Sequence, residues 1–308
     1  MSLKGRDLLT LKDYNKEEIE HITNKAIEIK KNPKKFSNVM KGKSLAMIFQ
    51  KTSTRTRVSF EVAMTQMGGH AIYLDWKTTQ FIMADIKDEA KCVSRYCDAI
   101  VARMLKHADL QELAKGSEVP VINGCCEKYH PCQALADLLT IKEKFGKWEN
   151  LKLVYMGIAN NVSNSLTVAC TKLGIKFVLC TPERHPLSFD EELIKEAEKT
   201  GFYFEERDPK KAIKNADIVY TDTWIDMEFF LDPKFQKEKE RRIKTFIPYQ
   251  VNKELLRYNP NVLIMHPLPA HRNLEVDDYA IDSKNSIVFD QAENRLHVQK
   301  AVLVELIR

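Results

Sequence analysis

Short, strand-length apolar runs alternate with helix-length amphipathic segments along this chain, and that alternation restricts its fold more than any other feature. KSLAMIFQ (43–50) is an apolar run, RVSFEVAMTQMGG (57–69) has helical periodicity and stops at paired glycines, and HAIYLD (70–75), DAIVARM (98–104) and VPVINGC (119–125) read as further strands. DIKDEAKCVSRY and PCQALADLLTIKEKFG read as helices, the second with its start set by Pro131, whose missing N–H suits a first helical turn. Near the N-terminus, Ile19, Ile22, Ala26 and Ile29 stand at helical spacing. A second alternation opens with NLKLVYMGI: strand, helix (NSLTVACTKLG), strand (KFVLCT), helix (FDEELIKEAEKTG), with ADIVYTDTW and NVLIMHPLP as later strands. Strands and helices that alternate in this way build parallel sheets. The expectation is therefore an α/β protein of two domains, each with a largely parallel central sheet flanked by helices and with the hinge near 145–150. A length of 308 residues agrees with two domains. In such sheets ligands gather at the carboxyl ends of the strands, where most of the unusual residues of this chain fall.

Composition narrows the function. No apolar run approaches the ~20 residues needed to span a bilayer, and MSLKGRDLLTLKDYNKEE has no apolar secretion segment, so a cytoplasmic protein with no membrane partner is expected. The formal net charge of +5 suits an anionic small molecule and is too modest and dispersed for nucleic acid. The densest charge cluster, KFQKEKERRIK, mixes signs and reads as an exposed helix or loop. Seven cysteines, an odd number without a CxxC pair, point to reduced thiols. The spacing in CCEKYHPC fits no standard structural zinc pattern, so no metal is expected. There is no GxxxxGK[ST] loop and no GxGxxG, and MGIANNVSNS offers a single glycine, which argues against a dinucleotide.

One stretch stands apart. FQKTSTRTRVSFE places Ser53, Thr54, Arg55, Thr56 and Arg57 in an unbroken run with no acid among them. Hydroxyls and guanidinium groups are what a protein offers to phosphate, and the same residues also cap helices well. A strand, a polar turn and a helix start in this order aim backbone N–H groups at an anion, which favours ligand binding.

Further segments complete a pattern. YHPCQALADLLT carries His130, Pro131 and Gln133; MHPLPAHR carries His266, Pro267, Leu268 and Pro269; FDQAENRLHVQKAVL carries Arg295 and opens a final helix. Together with STRTR and DAIVAR these resemble, in order and spacing, the aspartate and ornithine carbamoyltransferases, essentially from LKGRDLLTL to the C-terminus. The resemblance implies a homotrimer with active sites shared between neighbouring subunits and no cofactor. It implies a carbamoyl phosphate-binding domain over 1–148, an amine-binding domain over 149–292, and a last helix, 293–308, packing back on the first domain. By the same resemblance Ser53, Thr54, Arg55 and Thr56 grip the phosphate, while Arg103, His130 and Gln133 surround the carbamoyl group. Leu268 and Arg295 complete that set, and Gln80 is lent to the adjoining subunit. Arg55, Arg103, His130 and Gln133 are the expected catalytic residues, since the first three suit charge developing on the carbamoyl oxygen and Gln133 can orient the amide.

The acceptor reads as a cationic amino acid. Two carboxylates of an aspartate would call for basic residues, yet TDTWIDMEFF carries Asp222, Asp226 and Glu228 and no arginine. The ornithine enzymes have a similar DxWxSMG segment and an Asn-Asn pair, matched here by Asp222, Trp224, Met227 and Asn160–Asn161. By resemblance Asn161 holds the acceptor's carboxylate and Asp222 its α-amino group. The expected acceptor-side set is thus Asn161, Asp222, Asp226, Met227, Pro267 and Leu268. Three places depart from the ornithine pattern: Pro267 replaces the Cys of HCLP, Asp226 and Glu228 replace the Ser and Gly of SMG, and FIMADIKDEA after Gln80 is altered and shorter. Asp226 then either contacts the substrate or faces solvent. Ornithine is the leading acceptor, with lysine, putrescine or another amine as alternatives, and a carbamoyl phosphate-binding sensor as the non-enzymatic one.

Overall fold

A computed structural model describes residues 2–226 and 233–307, so Met227 and Glu228 lie outside the described residues. The chain divides into two compact units, residues 1–146 with 293–308, and residues 147–292.

In the first unit four strands, β1 (Ser44–Phe49), β2 (His70–Asp75), β3 (Ala99–Arg103) and β4 (Val121–Cys125), form an all-parallel sheet in the order β2-β1-β3-β4. Five consecutive residues of β1, Leu45 to Phe49, are buried, as expected of a strand covered on both faces. Helix α1 is Lys16–Lys31; α2 (Thr54–Gln66), α3 (Ile86–Ser94) and α4 (His107–Gly116) make the crossovers, and α5 (Pro131–Phe145) follows the last strand. Ile48, Ile100, Ala102, Leu110, Leu113 and Val121 share one core cluster. The register of β3 against β4 shifts between Ala102 and Arg103, so that Arg103 pairs with Cys125 at the carboxyl end of the sheet.

The second unit holds a five-stranded parallel sheet in the order β7-β6-β5-β8-β9, built from β5 (Lys152–Met156), β6 (Lys176–Cys180), β7 (Tyr203–Glu205), β8 (Ile218–Thr221) and β9 (Leu263–Met265). Helix α6 (Asn161–Lys172) joins β5 to β6, and α7 (Glu191–Lys199) joins β6 to β7. The expected α/β architecture with parallel sheets in both halves is what the chain adopts.

Details differ from the sequence reading for local reasons. Helices α2 and α6 each begin three residues before the apolar periodicity does, because a polar cap sets the start. Ser53 Oγ accepts from the Thr56 N–H at 3.3 Å, and Asn160 Oδ1 accepts from the N–H groups of Val162 and Ser163. Helix α4 and the short strand β7 carried too weak a periodic signal to be read. KFQKEKERRIK lies largely within the helix Gln236–Phe246, which buries Arg242 and Phe246 despite its charge. The final helix, Val288–Ile307, belongs from Glu293 onward to the first unit. There Asn294 Nδ2 donates to Thr140 Oγ1 at 3.0 Å and Lys300 Nζ to Gln66 Oε1 at 2.5 Å, while Val298, Ala301 and Val302 are buried.

Candidate active site

At the carboxyl end of the first sheet, the capped start of α2 presents Thr54, Arg55 and Thr56 in its first turn. Thirteen residues of helix give that end a positive dipole. Ser53 Oγ also donates to Thr56 Oγ1 at 3.1 Å, and the same Thr56 oxygen accepts from Arg295 Nη2 at 3.2 Å. Arg295 Nη1 donates to Gln133 Oε1 at 2.7 Å, and Gln133 Nε2 donates to Asp137 Oδ1 at 2.8 Å. Thr56, Gln133, Asp137 and Arg295 are all buried. This chain of bonds fixes the Gln133 amide with its oxygen toward Arg295. Arg103 stands at the end of β3 and donates from Nη1 to the Gly124 carbonyl at 3.4 Å. Arg103 Nε and Arg295 Nε are buried N–H groups with no hydrogen-bond partner among the described residues.

His130 precedes Pro131 at the start of α5 and is buried. Burial, and then the nearby charges of Arg295, Arg103 and Arg55, push its pKa well below the usual histidine range. A neutral imidazole beside three guanidinium groups donates a hydrogen bond without adding a fourth positive charge. Residues that the sequence scatters from 53 to 295 thus share one electropositive, water-poor place, suited to a phosphate and to a carbonyl whose oxygen gains charge. Gln80 opens the turn Gln80–Ile82; next to it Phe81 is buried against Trp76, with ring centroids 5.0 Å apart, while Ile82 and Met83 are exposed. The thiols nearby are structural. Cys126 is buried, accepts from Asn123 Nδ2 and the Tyr129 N–H, and burial pushes it up to about 12. Among the described residues no group of three or more His, Cys, Asp or Glu is arranged to hold a metal ion.

In the second unit the ends of β5, β8 and β9 carry a polar network. Gly157 follows β5 at φ 123°, and a side chain there would lie 2.9 Å from the Trp224 indole nitrogen, so glycine is required. Asn160, the cap of α6, donates from Nδ2 to Asp222 Oδ2 at 2.8 Å and accepts at Oδ1 from the Tyr155 hydroxyl at 2.9 Å. Asp222 also accepts from the Thr223 N–H at 2.8 Å. Burial raises the Asp222 pKa, opposed in part by His266 and the Asn160 bond. His266 Nδ1 accepts from the Leu268 N–H at 2.8 Å, which leaves Nε2 as the N–H that donates to Glu275 Oε1 at 3.1 Å. Glu275 is fully buried and also accepts from the His271 N–H, while His271 Nδ1 meets Thr223 Oγ1 at 2.9 Å. This frame holds Leu268 in the left-handed region at φ 57°, directly after Pro267. Asp226 Oδ2 accepts from His185 Nε2 at 3.0 Å and from Arg242 Nη1 at 3.2 Å.

The first unit therefore gathers Ser53, Thr54, Arg55, Thr56, Arg103, His130, Gln133 and Arg295 at the end of one sheet; the second gathers Asn161, Asp222, Asp226, Pro267 and Leu268 at the end of another. Glu275, His271 and Asp137 belong to these networks and were not singled out in the sequence, while Asn160 was noted only as one of the Asn pair and not as a site residue. His271 and Asp137 stood inside quoted motifs and were within reach, Asp137 one helical turn after Gln133; Glu275 carries no local signal, since its partners are set by the fold.

The carbamoyl-P binding domain of aspartate/ornithine carbamoyltransferases matches residues 6–143, and the Asp/Orn binding domain of the same family matches residues 149–306. The chain is 51% identical over 316 residues to an ornithine carbamoyltransferase of Pyrococcus abyssi, covering 100% of this chain and 97% of the relative. It is 52% identical over 312 residues to an anabolic ornithine carbamoyltransferase of Pyrococcus furiosus, covering 98% and 96%. Among solved structures, ornithine carbamoyltransferase from Pyrococcus furiosus superposes with a TM-score of 0.92 at 50% identity over 100% of this chain and 98% of that one. The Thermus thermophilus ornithine carbamoyltransferase superposes with a TM-score of 0.86 at 38% identity over 98% and 99%.

Proposed function

The chain belongs to the aspartate/ornithine carbamoyltransferase family, and from that membership we propose that it transfers the carbamoyl group of carbamoyl phosphate to the side-chain amine of ornithine, giving citrulline and phosphate. It is an enzyme, a carbamoyltransferase, and it binds carbamoyl phosphate and an amino-acid acceptor. The observation that carries the reading is the neutral, buried His130 set among Arg55, Arg103 and Arg295.

The first unit takes carbamoyl phosphate. Ser53, Thr54, Arg55 and Thr56 with the α2 N-terminus hold the phosphate, and Arg103, His130 and Gln133 hold the carbamoyl group. Arg295 orients Gln133 and Thr56 through the two bonds described above, and its buried Nε–H remains to donate to carbamoyl phosphate. The second unit takes the amine: Asn161 receives the carboxylate, Asp222 the α-amino group, and Pro267 and Leu268 border the side chain. The neutral amine attacks the carbamoyl carbon and a C–N bond forms. Negative charge that builds on the carbamoyl oxygen is met by Arg55, Arg103 and His130. The C–O bond to phosphate then breaks, and phosphate departs into the Ser53–Thr56 cradle. The amine loses a proton, and with Pro267 offering no ionisable group, that step falls to Asp222 or to the backbone carbonyls near Leu268. The raised pKa of Asp222 makes it a stronger base than an ordinary carboxylate. Alignment of the two substrates supplies a further share, worth roughly 7–11 kcal/mol in well-oriented reactions.

The proposal extends to a homotrimer in which Gln80 enters the neighbour's site. Exposed Ile72 on β2, an edge strand of its sheet, and exposed Ile82 and Met83 support such an interface. The seven cysteines are free thiols, which supports a reducing, cytoplasmic setting; no helix among the described residues is long and apolar enough to cross a membrane.

The test is phosphate release from carbamoyl phosphate with ornithine, lysine, putrescine or aspartate offered separately. Turnover with ornithine on the order of 1–10³ per second is expected. Release with another of the four alone would reassign the acceptor.

A further inference from the structure

Asp226 lies four residues beyond Asp222, and its bonds run away from Asp222 toward two other elements. One oxygen, Oδ2, accepts from both His185 Nε2 and Arg242 Nη1. Arg242 belongs to the helix Gln236–Phe246 and its side chain is only 5% exposed, so its charge needs fixed partners. They include Asp226, the Trp224 carbonyl at 3.0 Å from Nη1, and Glu238 Oε1 at 3.0 Å from Nε. The guanidinium therefore holds the backbone at 224 and the side chain at 226 together.

His185 belongs to the loop after β6, and that loop is tied to the start of α6. The His185 N–H donates to the Ala159 carbonyl at 2.8 Å, next to the cap residue Asn160, and Asn164 Nδ2 donates to the Ser188 carbonyl at 2.6 Å. The same loop is clamped to the helix 236–246 by Arg241, which binds both oxygens of Glu183 at 2.8 and 2.9 Å. The segments leaving β5, β6 and β8 are thus cross-linked, with Asp226 as the anion where His185 and Arg242 meet. The other end of the same five-residue span, 222–226, is held by Asn160 on Asp222 and by His271 on Thr223, so the two ends share one short length of backbone.

We propose that Asp226 is a positioning residue of the acceptor side: by joining His185 to Arg242 it sets Asp222 against the start of α6, and so sets the affinity for the amine without touching it. The inference rests on the acceptor reading of the second unit given above. It also accounts for an acid at a place where the related ornithine enzymes are expected to carry a serine. A serine there lacks the second carboxylate that Asp226 adds beside Glu238 on the buried guanidinium.

Steady-state kinetics of the full chain and its variants test this, beginning with the parent on ornithine and on lysine. Asp226→Ala is expected to raise the ornithine KM about tenfold, with the carbamoyl phosphate KM unchanged within about twofold. The preference for ornithine over lysine should stay as it was. Asp226→Asn keeps an acceptor oxygen for the two donors but removes the charge, and should recover part of the loss. His185→Ala combined with Asp226→Ala should be no worse than Asp226→Ala alone, because both remove the same link. An unchanged ornithine KM overturns the proposal. So does a change in the ornithine-to-lysine preference, which would mean direct contact with the amine, or an equal rise in both KM values with a lowered melting temperature, which would mean a role in folding alone. A parent inert with ornithine overturns the acceptor reading itself, before any variant is compared.

Discussion

His130 and Glu275 show how surroundings decide what an ionisable side chain does here. Around His130 the buried neighbours are cationic, so the ring stays neutral and serves as a hydrogen-bond donor. Glu275 is the reverse. Burial pushes its carboxyl up, but bonds from His266 and His271 outweigh burial and leave it at about 2, against an ordinary 4.5. The folded chain therefore favours the carboxylate. Its contribution to stability is full above the unfolded value of 4.5 and fades as the pH falls toward 2. Linkage makes that contribution about 3 kcal/mol. In Glu275→Gln the denaturation midpoint, followed from about pH 6 to about pH 3, should fall less steeply than in the parent. Parallel curves would mean that Glu275 does not govern the acid sensitivity.

At the scale of elements, the start of α2 performs two tasks with the same atoms. Ser53 Oγ accepts from Thr56 N–H and so fixes where the helix begins, and the same turn is the proposed seat of the phosphate. The two tasks separate by substitution. Ser53→Ala should lower stability by about 1 kcal/mol and weaken carbamoyl phosphate binding as well. Ser53→Asp restores a cap acceptor but sets a negative charge against the phosphate, so the melting temperature should return while binding falls further, read by calorimetric titration with carbamoyl phosphate. Recovery of both in Ser53→Asp would show that phosphate lies elsewhere. The final helix works similarly across a longer span: residues from Glu293 on pack in the first unit, and Arg295 reaches Gln133 and Thr56 from there. Its value to the site is the placement of two side chains that belong to α5 and α2.

For the whole molecule, the proposed lending of Gln80 has a direct consequence. Arg55→Ala disables a site through its own subunit, whereas Gln80→Ala disables it through the neighbour. Mixed and reassembled, the two inactive proteins should form hybrid trimers in which some sites draw both native residues, and activity should reappear at a substantial fraction of the parent's. Mixtures that stay inactive, though sedimentation shows exchange of subunits, would place Gln80 outside the site. The exposed Ile72, Ile82 and Met83 are consistent with a surface that is covered on assembly.

Much of this protein is determined locally. The alternation of apolar runs and amphipathic segments dictated parallel sheets in two halves, since a strand buried on both faces and a helix with one apolar stripe pack only in layers. The hydroxyl and arginine run of STRTR was legible because phosphate binding calls for those residue types side by side, whereas the motifs around His130, Gln133, Leu268 and Arg295 were legible through their resemblance to the carbamoyltransferases. The tertiary structure alone decided which of them meet. Arg295 reaches Gln133, His266 reaches Glu275, and Asp226 meets His185 and Arg242, in each case through register and crossover geometry that no local spacing encodes. It also decided protonation: a histidine held neutral and an aspartate with a raised pKa follow from burial and from charges brought in from distant segments. Short-range pattern specifies secondary structure and reactive groups, while desolvation and long-range electrostatics exist only once the chain has closed around them.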